Sequence, residues 1–418
     1  MGHNAFVASR EIINNLAINK LIPPGVIYLK DINPAAYRIK DYKKIIKNGF
    51  KLVSQDEEIG VFNSNSYTKF YNERFKSKQS FKYFDKFFCW GNLDYNFLKN
   101  KKYKTKFIKT GSPRIDIDFK TPNKIKNKKR ILISLNHSIF WKRDLIDRII
   151  IENEDVNRND LIKSQFLVYD IESKETLVFY YLAELIDKII KLKKFEITIR
   201  SHPAMDPKKV DAFFKQFKNI KINHKGDLVD QISQTDFLIH NGCTSAVTAT
   251  IKNKNIITYI PKNGVIYDYL NNNHLNRLGK KFYNSDSIIK YLKKKYFHEK
   301  KIINNNINIV KQRTLIDGFS YKRIAKEIDK INFKKQIKKF KMKHFFHIYK
   351  FHYLKLTTFF LKKILSSNQK SGFELKFPAF NYYEINNTID KLNKNFHTNK
   401  KFSIKIYGDR LLRISKKI

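Results

Sequence analysis

The chain holds 418 residues, 42% hydrophobic and 14% aromatic, which is more than one ordinary core and fits two domains of about 100 to 200 residues plus an appendage. That aromatic content excludes disorder for most of the chain. The formal net charge of +46 points to an anionic partner, but only 14 of the 84 basic residues are Arg, whereas nucleic-acid readers lean on Arg for bidentate contacts.

A selected charge function and a simple compositional drift towards Lys, Asn, Ile and Phe, as an AT-rich genome imposes, account equally well for the charge. Cys89 and Cys243 sit in apolar or small-residue contexts without zinc or disulfide spacing, which fits a reducing cytoplasm. The sequence has neither an uncharged apolar run of about 18 residues nor a secretory core near its start. The expected location is the cytoplasm, free or peripheral at the inner face of the membrane.

In chain order, Met1 to Ser9 reads as a short strand running into a helix over Arg10 to Lys20. With almost no lead-in, the first domain is expected to lack the strand with which a Rossmann-like domain opens. Strands are predicted at Gly25 to Leu29, Phe50 to Ser54, Phe87 to Trp90 and Phe107 to Lys109, alternating with helical stretches as in a covered parallel sheet. A polar linker follows at Thr121 to Lys129.

The second series is more regular. Strands are predicted at Arg130 to Leu135, Phe195 to Arg200, Ile220 to Asn223, Phe237 to His240 and Ile256 to Ile260. Helices are predicted at Thr176 to Leu192, Pro207 to Phe217, Leu228 to Ser233 and Thr244 to Ile251. Beyond about Leu270 the pattern turns helical, and Lys330 to Phe373 contains no acidic residue. Within that stretch Phe345, Ile348, Tyr349, His352, Leu356, Phe359 and Phe360 form an apolar stripe flanked by Lys, read either as an interfacial helix on an anionic leaflet or as a helix packed on the body.

Three groups of residues with chemical potential lie where a strand gives way to a loop, the edge at which open α/β sheets bind ligands. Asp56, Glu57 and Glu58 follow the strand ending at Ser54. Crowded carboxylates raise one another's pKa, which suits a general base near neutrality, although a solvated acidic turn has the same composition. Arg200-Ser201-His202-Pro203 leaves a guanidinium and an imidazole beyond the sheet edge, placed for a phosphate. In His240-Asn241-Gly242-Cys243-Thr244-Ser245, Gly242 permits close backbone approach while Thr244 and Ser245 offer donors to a phosphate or cap the next helix. Arg114 of the segment Thr110 to Asp116, and Asn136 with His137 after the first strand of the second series, are further cleft candidates; Trp90-Gly91 reads as packing.

These segments, "LVSQDEEIG", "FFCWG", "TGSPRID", "IRSHP" and "HNGCTSAV", resemble the bacterial surface carbohydrate biosynthesis protein family and the motif set of bacterial sialyltransferase-like enzymes of the GT-B fold. Lys376-Phe377-Pro378 resembles the C-terminal region of the former. The resemblance implies an α/β, GT-B-like architecture: two facing Rossmann-like domains with parallel sheets, an acceptor domain at 1–125 and a donor domain at 126–285, with a helical basic C-terminal extension at 286–418. It implies a metal-independent transferase without a cofactor. A sugar would pass from a nucleotide-activated donor, a CMP-linked nonulosonic acid or Kdo-like sugar, to a saccharide or lipid-linked saccharide acceptor of a surface polysaccharide such as lipopolysaccharide or capsule.

By the same resemblance Glu57 is the base, with Asp56 and Glu58 as rivals. His202 and Arg200 stabilise the leaving nucleotide, and Thr244 and Ser245 hold its phosphate. The chain departs from the pattern at Thr248, where related proteins carry a Glu suited to ribose hydroxyls, and at Ile59, which stands between Glu58 and Gly60. Expected partners are the nucleotide-sugar, the acceptor and an anionic membrane surface, with no nucleic acid. The competing readings are a transferase using a UDP-sugar or CDP-polyol and a basic membrane-docked or nucleic-acid-binding non-enzyme.

Overall fold

The computed structural model describes residues 4–30, 36–57, 80–124 apart from 102, 129–135, 158–262 apart from 203, 204 and 206, 266–294 apart from 267–269 and 271–273, 300–332, 379–407 and 411–416. Glu58, Asn136, His137, Pro203, the Phe345 to Phe360 stripe and Lys376 to Pro378 lie outside the described residues. Among the described residues the chain divides into two compact units, one holding the chain up to Lys120 together with Arg313 onward, the other Thr121 to Gln312.

In the first unit, β1 (Asn4–Ala8) leads into α1 (Arg10–Ile18), followed by β2 (Val26–Leu29), α2 (Ala36–Lys47), β3 (Lys51–Ser54), β4 (Lys86–Cys89), α3 (Asn92–Lys99), β5 (Lys106–Lys109) and α4 (Pro113–Lys120). The parallel sheet runs in the order β2-β3-β4-β5. Right-handed crossovers that always step in the same direction place their connections on one face of a sheet. The opposite face needs another cover.

That cover comes from far along the chain, the helix Ser320–Asp329. Ile324 packs with Val53 of β3 and Phe88 of β4. Lys86 of β4 donates to the Glu327 carboxylate (2.8 Å) and to the Glu327 backbone carbonyl (2.5 Å). Arg323 donates to the Thr110 carbonyl (2.7 Å) and holds Asp317 through both guanidinium ends.

The second unit contains β6 (Arg130–Ser134), α5 (Arg158–Lys191), β7 (Glu196–Arg200), α6 (Pro207–Phe214), β8 (Ile220–Asn223), α7 (Leu228–Ser233), β9 (Phe237–His240), α8 (Ser245–Ile251), β10 (Asn255–Tyr259), β11 (Lys280–Phe282), α9 (Ser285–Leu292) and α10 (Lys300–Lys311). The helix foreseen from Thr176 starts much earlier, at Arg158, and no Gly or Pro between Arg158 and Leu192 interrupts it. All six strands are parallel, in the order β8-β7-β6-β9-β10-β11. This is the doubly wound order, in which the winding reverses between β6 and β9. Alternate strand residues such as Ile133, Ile199 and Ile239 pack with Leu185, Ile186 and Ile189 of α5 in one core.

The α/β class with parallel sheets, expected from the alternation of elements, is what both units show. Three features differ from the sequence reading. The described residues from 286 to 312 group with the second unit and those from 313 onward with the first, whereas the reading sets 286–418 apart as an extension. After the helix Ser320–Asp329, named α11, and α12 (Tyr382–Asn395), the chain ends in two strands, β12 (Phe402–Ile406) and β13 (Leu411–Lys416). The opening strand β1 pairs antiparallel with β13 in a separate three-stranded sheet. Strand pairing across some 400 residues leaves no local trace in a sequence. No helix among the described residues is long and apolar enough to cross a membrane.

Candidate functional site

In the second unit, β7 and β9 flank β6, and their carboxyl ends carry the two phosphate-type segments found in the sequence. Arg200 closes β7 opposite Ser134 of β6. Its Nη2 donates to the Gly226 carbonyl at 3.0 Å, while its Nη1 is buried without a hydrogen-bond partner among the described residues. Burial lowers its pKa, yet a guanidinium stays charged at any physiological pH.

Ser201, the next residue, is 4% exposed. Its hydroxyl lies 2.8 Å from His224 Nδ1, and His224 Nε2 lies 2.8 Å from the Asp211 carboxylate. Since a carboxylate only accepts, His224 Nε2 carries a proton towards Asp211, which fixes the ring beside the Ser201 hydroxyl. The buried Ser201 hydroxyl therefore tethers the loop and is not presented as a nucleophile. His202 is exposed, with a tight turn formed by His202 N–H to Met205 Sδ (3.1 Å) and Met205 N–H to the His202 carbonyl (2.9 Å).

At the end of β9, His240 is fully buried, and burial lowers its imidazole pKa to about 4. The neutral ring accepts from the Gly242 N–H at Nδ1 (3.1 Å), so its proton sits on Nε2, facing Thr258 Oγ1 (3.0 Å) and the Leu278 carbonyl (3.3 Å). Gly242 adopts φ +108°, a conformation that side chains with a Cβ rarely reach. His240 thus fixes the turn that carries Gly242, Cys243, Thr244 and Ser245. Ser134 Oγ meets Cys243 Sγ at 3.3 Å, joining the end of β6 to this turn. Thr244 is half-buried; the Ser245 hydroxyl is buried with no hydrogen-bond partner among the described residues. Thr248 is buried in α8.

In the first unit the carboxyl ends of the strands, under α11, form a pocket of about 310 Å³. Tyr28, Gln55, Glu57, Trp90, Arg114 and Tyr321 line it, with Ile324 and Ile328 as an apolar wall. Gln55 organises its floor, donating to the Gly111 carbonyl (2.7 Å) and receiving the Tyr28 hydroxyl (3.3 Å). Burial, and secondarily Glu57, push the Tyr28 phenol well up, so it remains a donor at neutral pH. Asp56 is buried at 2% exposure, whereas Glu57 is exposed and lines the pocket. Trp90 is 5% exposed, and its backbone is fixed by Asp94, whose carboxylate accepts from Trp90 N (2.6 Å), Gly91 N (2.9 Å) and Tyr95 N (3.1 Å).

The structure therefore brings Glu57 and Arg114 to one pocket of the first unit, and Arg200, His202, Gly242, Thr244 and Ser245 to one sheet edge of the second. Tyr321 and Ile324 of the pocket escaped sequence reasoning because no local signal ties α11 to β3 and β4. His224 and Asp211 escaped because their link to Ser201 exists only once β7, β8 and α6 are assembled. Among the described residues no His, Cys, Asp or Glu cluster is arranged to hold a metal ion.

No protein-family profile and no curated protein matches the sequence. Among solved structures, the chain is similar to S. aureus MnaA with UDP, at 14% identity over 76% of each chain and a TM-score of 0.41. It is also similar to UDP-GlcNAc 2-epimerase from Neisseria meningitidis bound to UDP-GlcNAc, at 14% identity over 76% of this chain and 81% of that one, TM-score 0.39. A third similarity is to the wall teichoic acid polymerase TagF, at 10% identity over 76% of this chain and 92% of that one, TM-score 0.41. At such scores the likeness carries no functional weight.

Proposed function

We propose that this chain is a glycosyltransferase that takes a sugar from a nucleotide-activated donor, a CMP-linked sugar, and passes it to an acceptor of a surface polysaccharide. The observation that carries the reading is the gathering of Arg200, the exposed His202, Gly242 and the half-buried Thr244 at the carboxyl ends of β7 and β9. These strands stand on either side of β6 in a doubly wound sheet whose winding reverses between β6 and β9, the edge at which such folds take up nucleotides.

In this reading the nucleoside monophosphate leaves the anomeric carbon with its bonding electron pair. Arg200, His202 and Ser245 stabilise the developing phosphate charge, prearranged donors being the largest single source of such stabilisation. Gly242 lets the backbone approach, and Thr244 adds a hydroxyl. Glu57 in the first-unit pocket takes the proton of the acceptor hydroxyl. The resemblance of the motif set supports the CMP assignment.

The test is thermal unfolding against CMP, CDP, UDP, GDP and ADP, since a ligand of the native state at 100 times its Kd adds about 2.7 kcal/mol. Selective stabilisation by CMP that disappears in Arg200→Gln is the expected outcome. Preference for UDP or CDP replaces the donor class, and no response to any nucleotide overturns the reading.

A further inference from the structure

The chain of Ser201, His224 and Asp211 performs no chemistry in the transferase reading, yet it lies against the segment that does. Pairing of β7 with β8 ends at Arg200 opposite Asn223, so the ladder places nothing beyond that rung. The next residue on one side is Ser201, between Arg200 and His202, and the next on the other is His224. Their contact, Ser201 Oγ to His224 Nδ1 at 2.8 Å, is the first hold on the phosphate segment after the ladder stops. Ser201 is 4% exposed, so the contact is made out of bulk water, where a hydrogen bond is electrostatically stronger.

The imidazole is held in turn. His224 Nε2 meets the Asp211 carboxylate of α6 at 2.8 Å, and a carboxylate on one ring nitrogen aims the other. The turn that carries His224 is itself fixed: Asn223 Oδ1 accepts from the Lys225 N–H (3.1 Å), the Gln231 amide of α7 donates to the Lys225 carbonyl (2.9 Å), and Gly226 takes φ +84°. The same turn offers the Gly226 carbonyl to the Arg200 guanidinium at 3.0 Å. Two consecutive residues of the phosphate segment, Arg200 through its side chain and Ser201 through its hydroxyl, therefore take their positions from one turn, Asn223 to Gly226. We propose that His224, oriented by Asp211, is a positioning residue: it fixes Ser201 and thereby the directions in which Arg200 and His202 meet the phosphate of the bound nucleotide. The inference rests on the transferase reading, for which it names the groups that prearrange the phosphate contacts. Donors aimed before the ligand arrives cost no reordering when it binds. A link that merely stitched the fold would matter equally to ligands with and without a phosphate.

Calorimetric titration with CMP and with cytidine, which has no phosphate to position, tests the role. His224→Phe keeps a ring and removes both nitrogens. It is expected to weaken CMP roughly tenfold, the cost of one misaligned charge-assisted hydrogen bond, and to bind cytidine as the parent does. His224→Asn, whose amide can meet the Ser201 hydroxyl, recovers part of the loss. Ser201→Ala weakens CMP to a similar degree, and the double variant is no worse than either single one, because both break the same link. Asp211, whose side chain is 57% exposed, gives a variant that leaves the interior untouched, and Asp211→Ala shows the same selective loss in smaller measure even if His224→Phe does not fold. Equal losses for CMP and cytidine, additive losses in the double variant, or full CMP affinity in both Ser201→Ala and Asp211→Ala overturn the inference. Hydrogen exchange without ligand separates it from the transferase reading. A CMP response in the parent that the variants retain in full removes the positioning role alone. No CMP response in the parent removes the transferase reading, and exchange then decides the positioning role: faster exchange from Arg200 to His202 in Ser201→Ala and Asp211→Ala, with α5 unchanged, keeps it, and unchanged exchange overturns it.

Discussion

His240 sits where a strand must become a sharp turn, and its role follows from its protonation. With Nδ1 accepting from the Gly242 N–H and the ring enclosed, the imidazole stays neutral down to about pH 4. The unfolded chain binds that proton near pH 6.5. Between about pH 4 and 6.5 the unfolded state is therefore the better proton binder, so this group's contribution to stability rises with pH across that window and is lost as pH falls through it. The full swing is of order 3 kcal/mol. Asp94 acts in the opposite sense: burial raises its carboxyl to about 7, so its contribution falls as pH climbs from the ordinary carboxylate range towards neutrality. Comparison with a variant isolates the histidine. His240→Asn is expected to be less stable than the parent at pH 7 by about 1–3 kcal/mol and to close most of that gap by pH 4.5 in urea unfolding; a gap that stays constant with pH refutes the buried neutral imidazole.

Helix α11 shows at the level of one element why part of the site was legible and part was not. The parallel strands up to β10 match the sequence reading to within a residue or so because each is a short run of β-branched or aromatic residues between polar breaks, whereas β11, β12 and β13 fall in the stretch that reads as helical. Such runs placed Glu57, Arg200 and Ser245 at strand ends. Nothing in Ser320 to Asp329 marks it as the cover of β3 and β4, since its amphipathic pattern fits any apolar face. The pairing is set in the folded molecule by Ile324 in the core and by the ion pair of Lys86 with Glu327, whose side chains are 11% and 14% exposed. Removing one partner of such a pair strands the other charge, whereas replacing the pair by apolar groups is often neutral. Glu327→Gln is expected to cost about 2–4 kcal/mol in chemical denaturation, and the double variant Lys86→Met, Glu327→Leu to recover most of it. Failure of the double variant to recover would mean that the ion pair, and not merely burial, fixes α11.

For the whole molecule, the two units differ in how much of the chain they need. Among the described residues the second is built from one stretch, Thr121 to Gln312, whose six strands and α5 close a single core. The first depends on segments far apart in the sequence: among the described residues β1 pairs with β13 alone, and α11, beyond Arg313, supplies the cover of β3 and β4. Sequence periodicity finds strands and helices but not such returns of the chain, which is why the C-terminal third reads as an extension. A chain ending at Gln312 should therefore lose the first unit and keep the second, because an uncovered apolar sheet face cannot offset the entropy of ordering the chain. Limited proteolysis followed by mass spectrometry tests this, the expected product being a resistant core that begins near Thr121, still unfolds cooperatively and still responds to CMP. Survival of residues 1–120 in the resistant core would show that the first sheet holds without α11 and β13. Loss of the CMP response with the second core intact would mean that nucleotide binding draws on groups outside Thr121 to Gln312, and the Arg200 and Ser245 edge would no longer suffice as the donor site.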